Sequence, residues 1–246
     1  MRILTVDVGN SRVKADVWED SRHILGEVSK EADIDRLAEL CRHYNTDGVV
    51  VESVRNDSRK IAGDLKLGCD CQVIDFSKEL EKYRREIEYT GTIGADRIAA
   101  WLGACEIAPK EGLLIVDAGT AMTIDVCDTD GRFRGGTISL GLGKRLSALA
   151  GAAVLLPEVE AGECADWIGH DTKGAIQSGA ANGVIGEIAF AFEKAKKEYD
   201  VKKIVLTGGD SEWIGHRLME SGIGPVITDP WLVGRGLYRH FLNRCV

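Results

Sequence analysis

Apolar and polar positions alternate in short bursts from the first residues onward. Positions 3–8 are mostly apolar or β-branched and end at the turn Gly9-Asn10-Ser11, and positions 13–18 alternate, which predicts two strands joined by a tight turn. Residues 24–28 predict a third strand. The period then lengthens: Ile34, Leu37, Ala38 and Cys41 share one helical face within 31–43. Residues 48–54 read as a buried strand, 58–67 as a helix and 71–75 as another strand. A polar helix or loop covers 77–88, and Ile93 leads into a helix through Leu102.

The opening pattern then returns. Leu113-Leu114-Ile115-Val116-Asp117-Ala118-Gly119-Thr120 resembles Ile3-Leu4-Thr5-Val6-Asp7-Val8-Gly9-Asn10, each an apolar strand ending in Asp-x-Gly-polar. An alternating strand follows in both places, at 13–18 and at 122–127, and 133–139 predicts a further strand. The remainder reads as a long helix (172–197), a strand (203–207), a helix (211–220) and a terminal helix (229–242). A period far beyond about 50 residues is no solenoid repeat. It predicts a duplicated domain, with lobes at 1–111 and 112–246 and a cleft between them.

Composition adds limits. The 246 residues are 44% hydrophobic and 28% charged, ordinary for a folded globular chain. A formal net charge of −8 without a basic tract argues against general nucleic-acid or acidic-membrane binding. The apolar run at the N-terminus is too short for a signal peptide, and no apolar run approaches the about 18 residues of a membrane span. Seven cysteines (Cys41, Cys69, Cys71, Cys105, Cys127, Cys164, Cys245) form no CxxC pair. They read as buried or free thiols in a reducing compartment, so a cytoplasmic protein is expected.

The two Asp-x-Gly turns suggest phosphate handling. Gly9 is expected to supply a positive φ, and its bare backbone lets a phosphate reach successive N–H groups. Asn10 and Ser11 add donors, and Lys14 can neutralise charge. Asp7, at the strand end, is suited to a hydrated Mg²⁺ bridging phosphates. Asp117 can hold a second cation and Thr120 offers a hydroxyl. Two such loops facing each other would grip a polyphosphate from both sides. Leu206-Thr207-Gly208-Gly209-Asp210 ends a strand in paired glycines that admit a flat base. Taken singly, each motif also reads as an ordinary turn. Neither GxxxxGK[ST] nor a strand-borne GxGxxG occurs.

The order of these motifs resembles the type III pantothenate kinases. It includes the Asp7 hairpin, Gly94-Ala95-Asp96-Arg97, the Asp117 hairpin, Gly135-Gly136-Thr137-Ile138, Asp171-Thr172 and Leu206-Thr207-Gly208-Gly209-Asp210, and it spans about residues 3–240. The resemblance implies an α/β chain of two duplicated ribonuclease-H-like lobes with mixed five-stranded sheets, the actin-like ATPase fold. It implies ATP with Mg²⁺, a monovalent cation (K⁺ or NH₄⁺), pantothenate as the substrate of the first step of coenzyme A synthesis, and a homodimer. By the same resemblance, Asp7, Val8, Gly9, Asn10, Ser11, Arg12, Val13 and Lys14 form the ATP phosphate loop, and Thr120 also touches ATP. Asp96 is the base. Gly94, Ala95, Asp96, Arg97 and Thr172 contact pantothenate, with Arg97 pairing its carboxylate. Asp117 ligates the monovalent cation.

The family's tyrosine seven residues before Gly94 is Ile87 here, and the nearby Tyr89 is taken in its place. The family's Pro-Gly appears as Leu140-Gly141. Rival readings are a non-catalytic metabolite-binding relative that acts in transcription, and a kinase of another small alcohol. The retention of Asp7, Asp96, Arg97 and Asp117 speaks for the kinase. Gly174, Ala175, Ser178, Gly179, Ala181 and Asn182 give the long helix a small-residue face suited to packing across a dimer.

Overall fold

Strands β1 (Arg2–Val8), β2 (Val13–Glu19) and β3 (Arg22–Ser29) form an antiparallel meander. Strands β4 (Gly48–Ser53) and β5 (Gln72–Asp75) add to it in parallel, in the order β3-β2-β1-β4-β5. Successive side chains on a strand point to opposite faces. Leu4, Val6, Val8, Val49 and Val51 therefore share one face, where α1 (Ile34–Tyr44) and α2 (Ser58–Gly68) bury Leu37, Cys41, Ile61 and Leu65 against them. Helix α1 starts where Asp33 accepts from the Arg36 N–H and ends at Asn45 in the left-handed conformation.

The opposite face of this sheet carries α3 (Ala95–Ile107) and α7 (Leu232–Leu242). These two helices approach closely at glycines. A Cβ on Gly236 would land on the Ala99 carbonyl, and one on Gly103 would meet the Leu232 carbonyl.

The second sheet repeats the first. Strands β6 (Gly112–Ala118), β7 (Ala121–Cys127) and β8 (Phe133–Leu140) form a meander. Strands β9 (Val201–Thr207) and β10 (Val226–Thr228) join in parallel, in the order β10-β9-β6-β7-β8. Helices α4 (Leu142–Ala152), α5 (Thr172–Tyr199) and α6 (Ser211–Glu220) bury Leu146, Ile188, Phe192 and Ile214 against Leu114, Val116, Ile204 and Leu206. The duplicated α/β lobes expected from the sequence are thus present as mixed five-stranded sheets with helices.

This computed structural model describes residues 1–55, 57–153, 155–160 and 167–244, so Cys164 and Cys245 lie outside the described residues. Packing divides the chain into Met1–Pro109 with Trp231–Val246, and Lys110–Pro230. The division at 111/112 therefore needs correcting at its far end: α7 belongs with the first unit, because its partners are α3 and the first sheet. The stretch expected as a polar helix or loop over 77–88 is irregular, with short 3₁₀ turns at Phe76–Lys78 and Leu80–Tyr83. Helix α4 and strand β10 were not expected, the first because glycines interrupt its apolar pattern, the second because it has only three residues. No helix among the described residues is long and apolar enough to cross a membrane.

Candidate active site

The first sheet gathers charge at one end through its register. Asp7 pairs with Lys14 across the antiparallel β1–β2 ladder and with Glu52 across the parallel β1–β4 ladder. Cross-strand partners lie on the same face. All three side chains therefore leave the sheet on the α3–α7 side, opposite the Leu4-Val6-Val8 face.

Gly94 caps α3, and Asp96 lies in its first turn, where the helix dipole favours a negative charge. The Asp96 carboxylate accepts from the Arg97 backbone N–H at 2.8 Å. A side chain at Gly94 would collide with that carboxylate. This position requires glycine for close approach, not for backbone conformation.

Burial and crowding perturb both carboxyls. The Asp7 carboxyl is pushed up from 3.8 to about 6, first by burial. Lys14 opposes the rise, the Asp96 carboxylate adds to it, and a hydrogen bond with Glu52 opposes it. The Asp96 carboxyl is also raised by burial, against the opposing pull of Arg97. Arg97 itself is buried, with its guanidinium 5.2 Å from the Tyr89 ring centre and Nη1 donating to the Tyr89 hydroxyl at 3.4 Å. Such stacking holds a cation in a fixed plane.

The β1–β2 turn is closed by the Gly9 N–H donating to the Arg12 carbonyl at 3.0 Å. Gly9 is not among the positive-φ residues, so the expected conformational role is corrected. The turn spans four residues between paired Val8 and Val13, long enough to reverse the chain without a left-handed glycine. Asn10, Ser11 and Arg12 stay exposed. Arg55 fastens the turn from beneath: Nε donates to the Gly9 carbonyl at 2.8 Å, and Nη2 to the Asn10 and Lys30 carbonyls at 3.3 Å.

The second unit carries the matching turn. The Gly119 N–H donates to the Ala121 carbonyl at 3.0 Å, and Thr120 is exposed. Asp117 has Thr123 and Thr207 as its ladder neighbours. Hydroxyls thus occupy the places that Lys14 and Glu52 hold in the first unit. Thr207 is 1% exposed, and its Oγ1 finds no hydrogen-bond partner among the described residues. Gly208 has φ +92°, and a Cβ there would stand 2.6 Å from Asp117 Oδ1. The Asp210 N–H donates to the Ala118 carbonyl at 3.1 Å, tying the Gly208-Gly209 turn to the Asp117 turn. Thr172 opens α5, exposed, beside its N-cap Asp171, which accepts from the Gly174 N–H at 2.6 Å.

Of the residues named from sequence, Asp7, Lys14, Gly94, Asp96, Arg97 and Tyr89 come together in the first unit. Asp117, Thr120 and Thr172 belong to the second. Two residues were missed, Glu52 and Arg55. Glu52 carried a signal, since it is an acid in the apolar run Gly48-Val49-Val50-Val51 and is fully buried. Arg55 carried none.

A profile of the type III pantothenate kinase family matches residues 3–194. A type III pantothenate kinase from Flavobacterium johnsoniae is 33% identical over 88% of this chain and 89% of its own length. One from Aquifex aeolicus is 32% identical over 96% of each. Among solved structures, a protein assigned to the Baf family of transcriptional activators, from Campylobacter jejuni, aligns with a TM-score of 0.62 at 22% identity, covering 99% of this chain and 100% of its own. The ROK hexokinase of Thermus thermophilus aligns at 0.55 and 16%, covering 99% and 100%. At these identities the structural likenesses bear on the fold, which is that of actin-like and sugar kinases.

Proposed function

The chain belongs to the type III pantothenate kinase family, and from that premise we propose which of its residues carry the reaction. Membership makes the protein an ATP-dependent kinase that phosphorylates pantothenate in coenzyme A biosynthesis. The reading as a non-catalytic transcriptional factor is not favoured.

Asp96 takes the proton of the pantothenate hydroxyl. The observation that supports this is its setting: a half-buried carboxylate, held by the Arg97 N–H, near Asp7 on the charged face of the first sheet. Burial raises the Asp96 carboxyl and so makes the carboxylate a better proton acceptor. Arg97, stacked on Tyr89, pairs the pantothenate carboxylate, and Gly94 and Ala95 line that contact. Thr172 adds a further contact. The segment from Asp7 to Lys14 holds the ATP phosphates with backbone N–H groups and the Lys14 charge, and the exposed Thr120 hydroxyl is a further ATP contact. In-line transfer asks chiefly for positioning and charge neutralisation.

Mg²⁺ fits at Asp7. Burial drives that carboxyl toward neutrality, and a cation beside it would relieve the strain. Bound there, Mg²⁺ supplies positive charge to the phosphate oxygens. K⁺ or NH₄⁺ fits at Asp117, where Thr207 Oγ1 is buried without a partner among the described residues and Gly208 leaves room against the carboxylate. The five free cysteines among the described residues support a reducing, cytoplasmic setting. Of the small residues expected on one face of α5, Ser178 and Ala181 are buried within their own unit, but Ala175, Gly179 and Asn182, with Gly186, form an exposed stripe ending near the 67% exposed Phe190, which supports a homodimer.

The test is ADP formation read directly by chromatography of the quenched reaction, with and without pantothenate, in K⁺ and in Na⁺ buffers. Formation that requires pantothenate and K⁺ is expected. Formation indifferent to pantothenate would sink the assignment.

A further inference from the structure

Three sulfurs that the kinase reading does not use converge at the other end of the first sheet. Cys41 lies on α1, Cys69 caps the C-terminus of α2, and Cys71 stands one residue before β5. Their Sγ atoms all lie within 4.8 Å of one another. Cys41 and Cys69 are 4% and 8% exposed, and Cys71 is partly exposed. Thr46 Oγ1 stands 3.9 Å from Cys71 Sγ. The spacing of 28 and 2 residues fits no familiar ligand pattern. The trio exists because α1 and α2 pack on the same face of the sheet and bring their C-terminal ends together.

Thiolates bind soft metal ions with metal–sulfur distances of about 2.3 Å, which places tetrahedral sulfurs about 3.8 Å apart. Side-chain rotations of about 1 Å would close this trio to that size. Three sulfurs suit a soft d¹⁰ ion better than a hard one, which prefers oxygen ligands. The Thr46 hydroxyl or a water can complete a fourth position. Cys71 also lines a surface groove of about 480 Å³, with Lys66, Gln72 and Val73, which gives an ion a route from solvent.

The parallel registers fix where this lies. Gln72 pairs with Gly48, and Gly48 with Ile3, at the beginnings of β5, β4 and β1. Asp7 and Glu52 sit four residues further along, about 13 Å at the usual strand rise. An ion in the trio would tie α1, α2 and β5 together without touching the phosphate loop. We propose that Cys41, Cys69 and Cys71 form a structural site for one soft d¹⁰ metal ion, Zn²⁺ or Cu⁺.

The full-length protein, reduced, stripped with chelator and kept anaerobic, is titrated with Co²⁺, then Zn²⁺, and in a parallel arm with Cu⁺ against a copper chelator. One Co²⁺ per chain with a thiolate-to-cobalt charge-transfer band is expected. Displacement by one Zn²⁺ identifies zinc, and retention of Cu⁺ where Zn²⁺ fails to displace Co²⁺ identifies copper. The bound ion raises the melting temperature and leaves pantothenate-dependent kcat unchanged. Cys71→Ser, at the most accessible position, and Cys41→Ser should each weaken binding by at least the 10–100-fold that loss of an outer-shell partner costs. Cys105→Ser should not weaken it. Circular dichroism of the metal-free variants separates lost ligation from lost fold. No stoichiometric Co²⁺ band together with no Cu⁺ retained against the copper chelator, binding that survives unweakened in Cys71→Ser, or two of the three thiols joined in a disulfide in the native protein overturns the proposal.

Discussion

Replacing Asp7 with asparagine should make the ligand-free protein more stable while it destroys activity. The folded structure raises the Asp7 carboxyl from 3.8 to about 6, chiefly by burial. A carboxyl raised on folding binds its proton more tightly in the folded than in the unfolded chain. The folded state therefore loses stability as pH rises from about 4 to about 6, and the loss stays constant above that. A shift of about 2 pKa units is worth about 3 kcal/mol at 1.36 kcal/mol per unit. Asparagine carries no charge to desolvate. Asp7→Asn should thus gain up to about 3 kcal/mol at pH 8 and about half of that at pH 5. Urea unfolding followed by the fluorescence of the buried Trp18 and Trp101, at several pH values between 5 and 8, measures the difference. Kinase turnover should fall to background in the same variant. A pH-independent difference, or a variant no more stable than wild type at pH 8, would refute the reasoning.

Three further outcomes follow from the same structure. Arg55→Ala removes the guanidinium that holds the Gly9 and Asn10 carbonyls, and hydrogen bonds from a charged group are worth about 1.5–3 kcal/mol. The KM for ATP should rise about tenfold or more, with little change in the KM for pantothenate, read by steady-state kinetics. Gly94→Ala drives a methyl into the Asp96 carboxylate, so kcat should fall while the circular dichroism spectrum stays the same. His240 is buried against the Tyr83 hydroxyl at 2.6 Å and its imidazole is lowered from 6.5 to about 4, first by burial. The unfolded chain therefore takes up that proton first, and stability falls as pH drops from about 6.5 to about 4, by about 3 kcal/mol in all. In wild type the Asp7 effect runs the other way over much of this range. Denaturant melts of Asp7→Asn should expose the histidine slope, and His240→Gln should remove it.

The duplicated meander was legible because each copy is local: an apolar strand, an Asp-x-Gly turn and an alternating strand lie within about 15 residues. Asp7 and Lys14 could be placed together for the same reason, as hairpin partners. Glu52 could not be placed beside Asp7, since that pairing is parallel and its register is set by contacts across the chain rather than by a turn. Helix α7 was assigned to the wrong unit on sequence order, because nothing local records that Gly103 and Gly236 let it dock on α3. Gly9 was given a left-handed role because the loop length was unseen, and a four-residue turn does not need one. The cysteines looked scattered because only helix packing brings Cys41 to Cys69 and Cys71.

Single-turnover phosphorylation of pantothenate by Asp96→Asn, with saturating ATP and enzyme in excess, tests the central claim most directly. Loss of a positioned proton acceptor should slow the chemical step by about 10²–10⁴-fold, with ATP binding near wild type and the unfolding midpoint at or above wild type, since burial raises the Asp96 carboxyl as it does that of Asp7. A rate within a few-fold of wild type would mean that another group receives the proton.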